Sequence, residues 1–337
     1  MRSRSSLCRK ATDGMFGNFV NQFWPATVDG LALGAIYALV ALGYTMVYGV
    51  LRLINFAHSE IFMIGTVAAL FAVTTIGVSV PLAGIGLLGM LLLLAVIGAV
   101  ISGSAAVVLE YVAYRPLRRR GSSRLAALIS AIGASLFLQQ LFALLVIPQL
   151  FDRPKEGGRL PVQSPEWVQR SDVISIGDFV VRNDKLIIVV AAVLMMVALD
   201  QFVRRTKLGR GIRATAQDPE TAVLMGVNID RIVTATFAIG GAMAGVAAAL
   251  YLMRFESTNY FVGFLLGIKA FTAAVLGGIG NLRGALVGGF ALGLIELYGS
   301  VLFGSEWRDV VAFSVLVLVL MFRPSGILGE SLQRARA

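Results

Sequence analysis

The sequence predicts an all-α, polytopic integral membrane protein of about eight or nine crossings, some of them discontinuous or re-entrant. Three observations predict it. Of 337 residues, 57% are hydrophobic and only 14% are charged, and the mean hydropathy is +0.82. Apolar runs recur at 27–50, 61–76, 82–109, 125–147, 186–203, 232–252, 263–279, 285–303 and 307–322. A helix needs roughly 20 apolar residues to cross a bilayer, so most runs span, while the shortest are marginal or re-entrant. Finally, the net charge of +10 gathers at the ends of these runs.

The elements follow in order. Residues 1–18 are a polar extension with no apolar stretch of signal-peptide length. The membrane domain covers 19–329, and 330–337 form a cytoplasmic tail. Nine spans counted back from a cytoplasmic tail put Arg2, Arg4, Arg9 and Lys10 outside, against the rule that cationic loops stay inside. Either Met15 is the true start, or one early run does not cross. The run 82–109 leads to Arg115, Arg118, Arg119, Arg120 and Arg124, a crowding that marks a cytoplasmic loop. One crossing later, 148–185 carries six basic and six acidic residues and belongs outside. Its Pro148, Pro154, Pro161 and Pro165 argue for loop, with short strands over 172–182. After the run 186–203, the segment 204–231 again concentrates Arg204, Arg205, Lys207, Arg210 and Arg213 and returns to the cytoplasm.

Within 204–231 lies a second signal. Asp218 is a good N-cap, Pro219 fits the first helical position because its missing N–H would be unpaired there, and Gly226 suits a helix stop. Glu220 adds a negative charge to the first turn. This brief helix offers Ala222, Val223, Leu224 and Met225 to a basic cytoplasmic surface. So short a helix does not hold in water alone and requires a partner.

Several chemistries are excluded. With one cysteine, Cys8, and one histidine, His58, the chain has neither an intrachain disulfide nor a cysteine or histidine metal cluster. It has no phosphate-binding Gly-x-x-x-x-Gly-Lys-Ser/Thr loop and no protease, hydrolase or haem-attachment motif. The basic charge reports topology in membrane lipid and does not mark a nucleic-acid partner, because it sits at helix ends. No cofactor is expected in this chain. Energy comes from a partner or from a gradient.

Two breaks interrupt the apolar pattern, at 51–60 and at 277–284. Non-helical backbone at membrane depth survives only where protein buries it or water wets it, and transporters place such breaks around their substrate sites. The candidate path therefore comprises Asn55, His58, Ser59 and Glu60 with Gly277, Gly278, Gly280 and Asn281. The alternative for the first group is that Ser59 or Asn55 caps a helix beginning near Ile61, with Glu60 favoured by its dipole. Lys269 and Glu296 lie equally far from a turn centred between Leu282 and Arg283, roughly 20 Å along each helix at 1.5 Å per residue, so they can pair within the membrane. The alternative is that Lys269 reaches an interface and Glu296 packs elsewhere. Of Gln139 and Gln140, at least one needs an internal hydrogen-bond partner. Glycines four apart, at 30/34, 241/245, 263/267, 284/288 and 289/293, fit close helix packing.

The blocks Gly43-Tyr-Thr-Met-Val-Tyr-Gly49, Ile54-Asn-Phe-Ala-His-Ser-Glu60, Ala131-Ile-Gly-Ala-Ser135, Lys269-Ala-Phe-Thr-Ala-Ala-Val-Leu-Gly-Gly-Ile-Gly280 and Arg323-Pro-Ser-Gly-Ile-Leu-Gly329 resemble the branched-chain amino-acid ABC transporter permeases of the LivH type. The resemblance covers about 18–329. Glu220-Thr-Ala-Val-Leu-Met-Gly226 is similar to the coupling motif of ABC importer permeases, although Thr221 replaces an alanine and the usual downstream Leu-Pro is absent. Ser59 stands where family members carry glycine. The resemblance implies a bacterial cytoplasmic-membrane permease that is not itself an enzyme. It further implies a second permease subunit, two ATPase subunits binding ATP-Mg and an extracytoplasmic substrate-binding protein. Under it, Asp218, Pro219, Glu220, Ala222, Leu224, Met225 and Gly226 couple to an ATPase, and the two breaks are related halves of the path. Permeases for urea, short amides or other amino acids, and a gradient-driven secondary transporter or channel, are the competing readings.

Overall fold

The chain was described by a computed structural model covering residues 2–329 apart from 54, 79, 177–178 and 324; the tail 330–337 lies outside the described residues. The helices are α1 (Arg2–Leu51), α2 (His58–Ile76), α3 (Gly84–Arg119), α4 (Leu125–Leu150), α5 (Asn183–Arg205), α6 (Lys207–Gln217), α7 (Pro219–Leu224), α8 (Ile229–Phe255), α9 (Val262–Gly277), α10 (Leu282–Phe303) and α11 (Arg308–Phe322). Each of the nine apolar runs maps onto one of these helices, with one or two residues of the runs 82–109, 263–279 and 307–322 lying outside them. Seven are long and apolar enough to cross a membrane, counting Gln22–Leu51 as the apolar part of α1. The two remaining runs form the shorter α9 of 16 residues and α11 of 15 residues.

Burial separates the helices by role. The facing surfaces of α1, α2 and α8 are almost continuously buried, whereas α3, α4 and α5 expose residues such as Leu92, Val108, Phe137 and Leu194. Apolar side chains on an outer ring are in their preferred solvent when that solvent is lipid. The inner helices approach closely because glycine lines the contacts. A Cβ placed on Gly34 would stand 2.6 Å from the Gly289 carbonyl oxygen, and one on Gly241 would stand 2.7 Å from that of Ser102. The first contact brings α1 against α10, and the second α8 against α3. In both, the four-residue glycine spacing becomes a helix–helix seam.

Both ends of the bundle are tied by charge. At one end, Asp29 of α1 meets Lys185 of α5 at 2.9 Å and Arg254 of α8 at 3.2 Å. A small lid covers that end, with β1 (Val162–Gln163) paired antiparallel to β4 (Ser257–Thr258). A hairpin of β2 (Asp172–Ile176) and β3 (Phe179–Arg182) fills the strand-forming stretch read from the sequence. At the opposite end α3 carries a π-helical turn over Glu110–Tyr114. It turns the buried Glu110 toward Arg115 at 3.1 Å and Arg118 at 3.2 Å, while Arg118 and Arg119 also pair with Asp230 at the start of α8. The arginine-rich loop is therefore anchored to α8 as well as marking a membrane side.

Candidate functional site

The first break follows the end of α1. Arg52 adopts a left-handed conformation (φ 50°), which stops the helix at a cost that only glycine avoids. α2 then begins at His58 with Ala57 as N-cap and no side-chain cap. The expected cap at Ser59 or Asn55 and start near Ile61 are thereby corrected: the Asn55 carbonyl accepts the His58 amide at 3.1 Å, so the backbone closes the first turn itself. The Asn55 side chain instead accepts a hydrogen bond from the Tyr114 hydroxyl at 2.7 Å. His58 is buried edge-on against Tyr44 at 4.9 Å, in space that a Cβ on Gly43 would occupy.

Glu60 is fully buried, and its Oε1 accepts from Ser59 Oγ at 3.2 Å, Ser135 Oγ at 3.0 Å and Gln139 Nε2 at 2.9 Å. Gln139 thus has its internal partner, while Gln140 is exposed. Ser59 also donates to the Phe56 carbonyl at 2.7 Å. α9 lies directly on it, because Gly263 and Gly267 both face Ser59 with no room for a Cβ. The extra hydroxymethyl of Ser59 is accommodated by glycine on the partner helix.

The second break is a turn at the cytoplasmic end of α9. Gly278 (φ 106°) and Gly280 (φ 96°) adopt backbone conformations open chiefly to glycine. Asn281 then caps α10 by accepting from the Arg283 and Gly284 amides at 3.1 and 3.3 Å. The chain following α11 folds back over this turn: the Ile327 amide donates to the Leu276 carbonyl at 2.8 Å, Leu328 to that of Gly277 at 3.0 Å, and Asn281 Nδ2 to the Leu328 carbonyl at 2.9 Å. These contacts satisfy the irregular backbone with protein. Gly278 is pressed against the Leu328–Gly329 backbone in the process.

A cavity of about 420 Å³ lies elsewhere, lined by residues of neither break. Its walls are largely apolar and aromatic, including Leu33, Tyr251, Phe255 and Leu266, and Asn259 and Tyr260 place it toward the end that carries the β1–β4 pair. Arg159, Lys269, Glu296 and Arg308 supply charge to the lining. Lys269 Nζ is 2.8 Å from Glu296 Oε1 and 2.6 Å from Asp309 Oδ1, and Arg308 Nε is 2.6 Å from Glu296 Oε1. The structure joins Lys269 to Glu296, but the turn lies at 278–281 and not between Leu282 and Arg283, so the two residues are not equally far from it along the chain. Sequence reasoning missed Arg308 and Asp309, whose signal was an opposite-charge dipeptide at the head of the last apolar run.

The insert 204–231 forms α6 and α7. Asp218 caps α7, its Oδ1 accepting from the Glu220 amide at 3.0 Å while the Thr221 hydroxyl donates to Oδ2. The Thr221 hydrogen bond, aided by backbone amides, holds the Asp218 carboxyl below the usual carboxylate range. Ala222 is buried beneath the helix, Met225 ends it, and Gly226 (φ 83°) turns the chain away. Leu224 and Met225 are 85% and 81% exposed, the most solvent-facing apolar tip of the insert. One side chain links this element to the first break: the Arg52 guanidinium donates to the carbonyls of Ala216 and Gln217 at 3.2 and 3.3 Å.

Comparison with known proteins adds the lineage. Residues 26–320 match the family described as the permease component of the branched-chain amino acid transport system. The permease protein BraD of the high-affinity branched-chain amino acid transport system of Pseudomonas aeruginosa is 44% identical over 304 residues, covering 90% of this chain and 94% of that protein. LivH of Escherichia coli K12, described likewise, is 41% identical over 310 residues with the same coverages, 90% and 94%. A probable LivH of Methanocaldococcus jannaschii is 26% identical over 304 residues, 87% of this chain and 89% of its own. No solved structure matches the chain. A multi-pass helical bundle with this match along nearly its whole length belongs to the branched-chain amino acid transport permease family.

Proposed function

We propose that the chain is the permease subunit through which an ATP-driven importer moves leucine, isoleucine or valine across the bacterial cytoplasmic membrane. It acts beside a second permease subunit, with two ATPase subunits that bind ATP-Mg and an extracytoplasmic protein that delivers the amino acid. The substrate class is supported by the likeness to BraD and LivH. The observation that carries the mechanism is the capped helix α7, which holds Leu224 and Met225 out from the cytoplasmic face. Large apolar side chains at such exposure are anchors for a partner surface. Arg52, bonded to the last carbonyls of α6, connects that surface to the break at the start of α2. Movement of α7 by an ATPase is thereby passed to helices that pack around the path.

Co-purification tests the reading. Leu224→Asp puts a charge where an apolar anchor sits, and it is expected to reduce the retained ATPase at least tenfold while the permease still folds. Uptake by the chain alone in liposomes, driven by an ion gradient without ATPase, would overturn it.

A further inference from the structure

The charged cavity has two unfilled valences side by side. Glu296 is completely buried; its Oε2 closes no hydrogen bond of good geometry, although the Tyr37 hydroxyl lies within its reach and Oε1 lies between Lys269 and Arg308. Arg308 approaches Glu296 through Nε, and no hydrogen bond from its terminal amino groups occurs among the described residues. A free carboxylate oxygen thus sits beside a free guanidinium fork at the edge of an apolar chamber. Carboxylates accept ammonium groups, and the arginine fork takes a carboxylate through two parallel hydrogen bonds.

We propose that this cavity is a binding site within the permease for a zwitterionic α-amino acid with an apolar side chain. The α-carboxylate is held by Arg308, the α-ammonium by Glu296 Oε2, and the side chain lies against Leu33, Leu266, Tyr251 and Phe255. The inference rests on the import function proposed above and deepens it by naming where the substrate rests.

Charge balance favours this ligand over its relatives. Lys269 and Arg308 carry two positive charges, and Glu296 and Asp309 carry two negative ones, so the ion-paired network is neutral, while Arg159 adds a further positive charge to the cavity lining. A zwitterion enters without changing that sum. A solute lacking either charged group leaves a buried charge uncompensated, and that is costly in a site shielded from water. The volume of about 420 Å³ lies within the range of small-molecule pockets, roughly 300–1,000 Å³. The external placement is where a delivered substrate arrives.

The test uses the assembled transporter in lipid nanodiscs, without the extracytoplasmic protein, and measures binding of radiolabelled leucine. The wild-type complex is expected to bind leucine saturably. Isoleucine and valine should displace it; leucinol, which lacks the carboxylate, and 4-methylpentanoate, which lacks the ammonium, should not. Arg308→Gln should weaken leucine at least tenfold and erase the preference for leucine over leucinol, a change that loss of packing alone does not produce. Leu266→Trp, which fills the chamber and leaves every charge in place, should also abolish binding in a complex that still assembles. Leucine import by the wild type with no saturable binding, or wild-type binding in both variants, overturns this inference and leaves the import reading standing. Failure of the assembled wild type to import any branched-chain amino acid overturns the import reading instead.

Discussion

Glu60 and Glu296 are both fully buried carboxylates on core helices, yet the protein treats them differently. Glu60 is surrounded by neutral donors, with Ser59, Ser135 and Gln139 converging on one oxygen. Glu296 is held between cations, with Lys269 and Arg308 on one oxygen and Asp309 balancing Lys269. A carboxylate satisfied by hydroxyls and an amide joins helices: here it fastens α4 to the start of α2, beside the contact of α9 with Ser59. A carboxylate met by charged side chains can exchange partners, and Glu296 lines the cavity, although each acid leaves its Oε2 without a hydrogen bond of good geometry. Buried charge is expensive in lipid unless matched, so the distinction follows from what matches it.

Neutralising each acid tests the comparison, and the larger effect is expected at α10. Glu296→Gln leaves Lys269 and Arg308 facing one another with only Asp309 to balance them. Breaking a buried ion pair from one side costs roughly 3–5 kcal/mol, and the remaining Asp309 contact puts this case near the lower figure. Thermal unfolding of the purified protein should show the loss, and Lys269→Met combined with Glu296→Gln should recover part of it. Glu60→Gln retains an oxygen acceptor for all three donors, so the expected loss is about 1 kcal/mol or less. If the two glutamine substitutions destabilise the protein equally, the division between a fastening acid and an exchangeable one fails.

Much of the architecture was legible because membrane helices announce themselves by length and by arginine placement. The helix α7 was legible for a local reason, since Asp218, Pro219 and Gly226 are cap residues at the spacing of one short helix. Symmetry about a turn between Leu282 and Arg283 predicts the pairing of Lys269 with Glu296, yet the turn lies at 278–281, so the contact forms without that symmetry. The cavity was not legible. Its walls come from α1, α8, α9, α10 and the external lid, so no contiguous stretch encodes it. The glycine break at 277–284 was legible as a break, but what satisfies its polar backbone was not: 327–328 fold back over it, a contact that local sequence does not specify.

Asp218 extends the comparison to a carboxylate in water, where the smallest effect is expected. Like Glu60 it is met by hydrogen bonds and not by a close cation, but it is exposed and caps a helix. Its folded-state pKa is depressed, chiefly by the Thr221 hydroxyl, so the ionised form is favoured by folding and linkage fixes the sign. The stabilisation of α7 is complete above the unfolded aspartate value of about 3.9, and it is lost as pH falls through the lower folded value. At neutral pH the cap is at full strength. Hydrogen exchange at the Glu220 amide, corrected for intrinsic rate, should therefore stay slow down to that acidic range and accelerate only within it. Asp218→Asn keeps an acceptor on a good capping residue but removes the titration, so its protection should be nearly flat across the same range. An equally steep acid loss with asparagine would place the sensitivity in another group, and the cap would no longer be the pH-dependent element of the coupling surface.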